Sequence, residues 1–119
     1  MSFNIINVAS VVGTTTSYSS VPTSNTAMLG PVTSSHVWKI NSIIAANKTS
    51  SPATITVLYN KSSTAYYLAY QVTIPANATL IVIGKDAPIY LMDTSSDYIY
   101  AYAGTSSAID LTISYEDMS

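Results

Sequence analysis

Along most of the chain apolar and polar residues alternate at every second position, and no stretch repeats its apolar residues at helical spacing between capping residues. Alternation of period two puts one set of side chains on each side of an extended strand, so it predicts half-buried β-strands. In ATITVLY (53–59), Ile55, Val57 and Tyr59 share one side, with Thr54 and Thr56 on the other. In YYLAYQVTIP (66–75), Leu68, Tyr70, Val72 and Ile74 oppose Tyr67, Ala69, Gln71 and Thr73, and TLIVIG (79–84) adds a short apolar run. Nearer the C-terminus Tyr98, Tyr100 and Tyr102 alternate with Ile99, Ala101 and Ala103. After a turn, Ile109, Leu111, Ile113 and Tyr115 alternate with Ala108, Asp110, Thr112 and Ser114, and the charge on Asp110 marks the wet side. HVWKINSIIAAN (36–47) departs from the rule: Trp38, Ile40 and Ile44 have one parity and Val37, Ile43 and Ala45 the other, which predicts a bulge or burial on both sides.

Turn-forming clusters separate these runs: NKTSSP (47–52), NKSST (60–64), PAN (75–77), GKDAP (84–88), DTSSD (93–97) and GTSS (104–107). About seven or eight short antiparallel strands result, an all-β chain that fits a β-sandwich with Greek-key or jelly-roll connections better than a small barrel. The first 34 residues alternate only weakly and include GTTTSYSSVPTSNT (13–26). They predict an edge strand near 14–21, preceded by an arm over residues 1–13 that orders against a partner. Residues 14–119 form a single domain, since 119 residues suffice for one core.

Charge is scarce. Charged residues make up 8% of the chain, against about 25% in an ordinary soluble domain. All the cations are lysines (Lys39, Lys48, Lys61 and Lys85), and the net charge is −2. So few cations cannot neutralise a phosphate backbone, which argues against nucleic acid as a partner. A nearly neutral Ser/Thr surface repels its own copies weakly and tolerates close subunit packing, so a homo-oligomer is expected. The chain has no cysteine, hence no disulfide, thiolate metal site or cysteine nucleophile. MSFNIINVASVVG lacks the basic start of a signal peptide, and no apolar run reaches the roughly 18 residues of a membrane helix. The expectation is a protein made in a cytoplasm, without a membrane partner. Asn47, Asn60 and Asn77 begin Asn-x-Ser/Thr triplets, which matter only on a secretory route.

Candidate chemistry is thin. His36 is the only histidine, and a Ser-His-Asp triad needs an activated serine that no G-x-S-x-G elbow supplies. His36 is expected at the entry to a strand. The carboxylate pairs Asp93/Asp97 and Glu116/Asp117 are expected in a turn and a tail, and DTSSD lacks the spacing and glycine of a calcium loop. Asp97 is expected to bond turn amides and start the next strand. Four glycines cannot build a phosphate-cradling loop. The expectation is no enzyme, no cofactor and no metal.

The aromatics remain. Ten of the twelve are tyrosines, and Tyr98, Tyr100 and Tyr102 project from one side of a single strand. Either they line the core and the small side meets a neighbour, or the stripe is exposed and contacts a partner, for which tyrosine offers large area at low entropic cost. A third alternative is a sugar-stacking platform. Tyr66, Tyr67, Tyr70 and Trp38 raise the same choice, and the candidate interface residues are Tyr98, Tyr100, Tyr102, Tyr67, Trp38 and, in the arm, Phe3.

From KINSIIAANKTSSPATITVLY through YYLAYQVTIPANATLIVIGKDAPIYLMDTSSDYIYAYAGTSSAIDLTISYED, roughly residues 37–117, the order of elements resembles small virion proteins of tailed bacteriophages, including those of marine cyanobacteria. IPANATL (74–80) and AIDLTISYED (108–117) carry most of the resemblance. The chain departs from that pattern at Ser96-Asp97, where a Gly-Asp turn is usual, and at Glu116, where an apolar residue is usual. The resemblance implies a β-sandwich subunit without catalysis, on the particle exterior or at the neck or tail, assembled in the host bacterial cytoplasm with other virion proteins as partners. The function it implies first is capsid decoration or cement. The alternatives are a neck/collar or tail-attached subunit and a carbohydrate-binding adhesin module at a fibre tip.

Overall fold

The computed structural model describes residues 10–61, 64–84, 86–93 and 97–119. Residues 1–9 of the expected arm, Phe3 among them, lie outside the described residues. The described chain is all β, with nine strands: β1 Val11–Tyr18, β2 Thr26–Leu29, β3 Val37–Asn47, β4 Ala53–Lys61, β5 Thr64–Ile74, β6 Thr79–Ile83, β7 Ile89–Leu91, β8 Tyr98–Ala103 and β9 Ile109–Met118. The short β2 and β7, which the alternation does not single out, bring the count to nine. The first strand starts at Val11, earlier than the sequence pattern placed it, so residues 11–13 are strand and not arm.

The strands form two packed antiparallel sheets. One has the order β1-β9-β3-β6, with β7 also on β3; the other has the order β2-β8-β4-β5. Early and late strands pair in nested fashion, β1 with β9, β2 with β8, β3 with β6 and β7, and β4 with β5. A chain doubled into one long ribbon and wound so that its limbs fall alternately into two sheets is a jelly roll. β9 therefore lies between β1 and β3, and β8 between β2 and β4.

Between the sheets lies one apolar core. Ile109, Leu111 and Ile113 of β9 face Ile55, Val57 and Ile99 of the other sheet, and all six are at most 2% exposed. The conflicting parity of 36–47 has the cause expected: the β3–β9 register slips between Ile40 and Ser42, leaving Asn41 as the extra residue. That bulge lets Trp38 and Ile40 on one side of it, and Ile43 and Ala45 on the other, all join the core. Trp38, a candidate for an interface, is instead a core residue, 9% exposed and packed on Tyr115 with ring centroids 5.1 Å apart.

Polar anchors hold the strand ends. Asn47, only 2% exposed, donates its amide to the carbonyls of Ser51 and Ile74 and accepts from the Thr49 backbone N–H at 3.0 Å. This closes the β3–β4 turn. Asp97, 1% exposed, accepts from the Met92 N–H and directly precedes β8, as its turn position predicts. Glu116 and Asp117, expected in a tail, are ladder residues of β9 opposite Lys39 and Trp38.

Since Ile99 is wholly buried between the sheets, Ile99→Ala is expected to lower the unfolding free energy by about 2–5 kcal/mol in urea titration. A loss under about 1 kcal/mol would show that the aliphatic side of β8 does not pack there.

Candidate contact surface: the tyrosine side of the four-stranded sheet

β8 settles which way its tyrosines point. Ile99, Ala101 and Ala103 are at most 1% exposed and belong to the core, so Tyr98, Tyr100 and Tyr102 project from the outer side of the β2-β8-β4-β5 sheet. The start of the stripe is held by Gly30, whose φ of +124° is open to glycine and whose Cα lies so close to Tyr98 that a Cβ would sit 2.8 Å from the ring.

Cross-strand register brings more tyrosines to the same side. Tyr100 is opposite Leu58 on β4, and Leu58 is opposite Tyr67 on β5. Tyr102 is opposite Thr56, which faces the pair Tyr70 and Gln71 across a bulge. Leu58 and Thr56 occupy outward positions, yet they are only 5% and 1% exposed. The rings on either side cover them, so the tyrosines form a band over the middle of the sheet. Tyr98 and Tyr100 have ring centroids 5.4 Å apart, and Tyr67 and Tyr70 meet edge to face at 4.8 Å. The outermost rings are open: Tyr67 and Tyr70 are more than half exposed.

Two bulges on β5 make this band. The β4–β5 register slips once at Leu68 and again at Gln71, where φ is +48°. The slip at Leu68 turns Tyr67 and Tyr70, three apart, to one side. The slip at Gln71 returns Val72 and Ile74 to the core side, and the freed Gln71 N–H donates to the buried Thr56 hydroxyl at 3.0 Å. Simple alternation groups Tyr70 with Val72 and Ile74, and the structure corrects this: Tyr70 belongs with Tyr67. No glycine or asparagine at 71 signals the left-handed residue. Only the cross-strand position of Thr56, which no alternation count contains, explains the bulge.

The opposite outer side differs in kind. On the β1-β9-β3 part of the other sheet the outward positions carry Thr15, Ser17, Thr112, Ser114 and Ser42, with Lys39 opposite Glu116, while toward β6 and β7 they carry Ile44, Ile81 and Tyr90. Thr15 and Ser114 hydroxyls are 3.2 Å apart, and Asn41 Nδ2 donates to Glu116 Oε1. Around β1 and β9 this outer side is therefore hydroxyl and charge, with an apolar margin toward β6 and β7; the tyrosine side has no charged outward residue in its strands.

The remaining candidates serve the frame. His36 enters β3 as predicted, and its Nδ1 lies 2.6 Å from Asp117 Oδ1 on β9. Its neighbour Ser35 donates its backbone N–H to Asp93. Among the described residues no three His, Cys, Asp or Glu side chains gather where a metal ion could be held, and no helix is long and apolar enough to cross a membrane. At the other end of the sheet Asp110 accepts from Lys48 Nζ at 2.9 Å and from the Ser20 N–H at 2.8 Å. The Lys48 hydrogen bond, then the Ser20 amide, hold the Asp110 carboxyl below its ordinary pKa of 3.8. Burial, with the Asp117 charge second, pushes the Tyr115 hydroxyl up from 10.0. Neither group faces the tyrosine band. No protein-family model and no curated protein matches the chain.

A carboxyl whose pKa is lowered on folding stabilises the fold above its unfolded pKa, and that contribution disappears as the pH falls through the folded value. Asp110→Asn is thus expected to be less stable than the parent at neutral pH, by at most about 1 kcal/mol for so open an ion pair. The two stability curves should converge once the pH has dropped well below 3.8. A constant gap between pH 7 and the acid limit, followed by urea titration, would contradict the assignment.

Proposed function

We propose that this protein is a non-catalytic structural subunit of a tailed-phage virion, most simply a capsid decoration or cement protein, that docks by the tyrosine side of its four-stranded sheet. The observation that carries this reading is the band of Tyr98, Tyr100, Tyr102, Tyr67 and Tyr70 standing outward from a charge-free sheet face. Tyrosine is enriched at interface cores and charge is depleted there. Tyr67 and Tyr70 are the band's most open members, at 57% and 56% exposed, and the flanking Thr54, Asn60 and Thr73 extend the patch. Support for the particle comes from the resemblance over roughly residues 37–117 and from the jelly roll, a fold that recurs in viral capsid and lectin domains. Fold alone does not choose between those two. A subunit that binds the assembled shell and not its free components shifts assembly toward the shell by mass action.

A sugar-binding adhesin is the weaker reading, because the rings do not share a plane. Tyr67 and Tyr70 are inclined at 70° and Tyr98 and Tyr100 at 34°, so no flat aromatic platform is presented. Tilted, interdigitating rings suit a protein surface that fits between them. Attachment at the neck or tail uses the same surface and differs in copy number: about six to twelve copies per particle, against tens to hundreds for decoration.

The double substitution Tyr67→Ser with Tyr70→Ser is expected to weaken binding to particles stripped of this protein by about 30-fold or more, read by co-sedimentation. Because both rings are more than half exposed, the fold should lose little stability. Thr112→Ala on the opposite sheet should leave binding unchanged. Undiminished binding by the double variant, or retention on glycans with none on particles, would end the decoration reading.

A further inference from the structure

The two sheets have four lateral edges, and three of them carry features that hinder another strand from adding on. β5 is broken by two bulges, β2 is four residues long with a bulge, and the far edge of the other sheet is divided between β6, five residues, and β7, three. Short edge strands and bulges are standard protection against edge-to-edge pairing. β1 has neither. It runs eight residues in unbroken register with β9 and contains no proline and no charged side chain. No Lys, Arg, Asp or Glu occurs anywhere before Lys39.

The hydrogen-bond phase of β1 shows which of its groups are free. Ser10 and Ser119 exchange both backbone hydrogen bonds at 3.1 Å, so the N–H and C=O of Ser10 point toward β9. In an antiparallel ladder this direction alternates. Val12, Thr14, Thr16 and Tyr18 therefore point their backbone groups at β9, while Val11, Gly13, Thr15 and Ser17 point theirs away from it. Among the described residues no strand lies on that side. Val11 and Val12 are also more than half exposed. Gly13 has an ordinary φ, and a Cβ there would meet nothing within 4 Å, so its own subunit does not require a glycine. Glycine within a strand commonly marks the close approach of another backbone.

We infer that β1 is the site at which a second copy of this chain pairs, antiparallel and about a two-fold axis, joining the two β1-β9-β3 sheets into one continuous sheet. A two-fold perpendicular to the sheet keeps inward residues opposite inward residues. With Thr14 opposite Thr14 of the second copy, all four free backbone positions are used: Val11 opposite Ser17 and Gly13 opposite Thr15, each twice. Such pairing sets identical strands against each other, which like charges would oppose. The lack of charge in β1 removes that obstacle. The contact is separate from the tyrosine side and does not rest on the docking role proposed for it.

Thr15→Pro tests this. The Thr15 N–H points away from β9, so proline there removes a donor from the free edge without taking one from the β1–β9 ladder. In sedimentation equilibrium the full chain is expected at twice the monomer mass at micromolar concentration. Thr15→Pro should raise the dimer dissociation constant about 30-fold or more, with an unchanged far-ultraviolet circular dichroism spectrum. Should Thr15→Pro unfold, Thr15→Lys is decisive, since it places like charges near the axis and should dissociate the dimer in a salt-dependent way. A monomeric parent chain, or an oligomer whose mass neither substitution changes, overturns the inference. So does a monomer that dimerises only after removal of residues 1–9, because the edge would then be covered by the chain's own N-terminal segment. None of these results touches particle binding by the tyrosine side.

Discussion

The arrangement depends on the insertion of late strands between early ones. β9 hydrogen-bonds to β1 and β3, and β8 to β2 and β4, so the last quarter of the chain supplies one of the two inner strands of each sheet. An inner strand has both its edges consumed by ladder bonds, and one of its sides is taken by the core. Its other side is all that it can offer to a partner. For β9 that side is Asp110, Thr112, Ser114 and Glu116; for β8 it is Tyr98, Tyr100 and Tyr102. The pairing also spans nearly the whole chain, with Ser10 bonded to Ser119. Contacts so distant in sequence are formed against a large loop-closure entropy. The Lys48–Asp110–Ser20 and His36–Asp117 contacts sit at opposite ends of β9, where each ties an early loop to this late strand.

Much of the fold is legible in the sequence because alternation is a direct imprint of a sheet with one dry side. The strands at 98–103 and 109–118 follow from it, as does the side that 109–118 buries, and so does the bulge in 36–47, whose two parities cannot both be satisfied by a regular strand. What alternation cannot convey is anything decided across strands. Tyr70 lies with Tyr67 because the β4–β5 register slips at Leu68, and Thr56 is buried because rings from β5 and β8 lie over it. Trp38 is deep in the core because the bulge at Asn41 allows both halves of β3 to face inward. Even the tyrosine stripe is ambiguous as sequence, since a strand with tyrosine on one side and small aliphatics on the other can be packed either way round. The core takes the small side: Ala101 and Ala103 are almost wholly buried.

Low charge has a different meaning on the two outer sides. On the β1-β9-β3 sheet, hydroxyl groups do the work that charges do on most proteins, hydrogen-bonding to water and to one another across strands. On the β2-β8-β4-β5 sheet the outward positions carry no charge, and the phenols stand beside Thr54, Thr56 and Thr73. Each phenol can keep one hydrogen bond while its ring loses water, so such a surface can be desolvated without stranding a charge. That makes it suitable for a contact formed after folding.

The unequal edges bear on how far assembly can go. A subunit with two open edges adds copies at both and grows without limit, as fibrils do. Here the β5, β2 and β6/β7 edges are shortened or bulged, and β1 alone is regular. A two-fold contact through a single edge is self-complementary and closes after two copies, because each molecule's one open edge is then used. The tyrosine bands lie on the other sheet of each subunit and remain free in such a pair. Two copies joined at β1 would carry two docking surfaces on a rigid frame, so that engagement of one raises the effective concentration of the other at the partner surface. A closed self-contact combined with an open docking face is what the role proposed above would require of a subunit added repeatedly to a symmetric lattice.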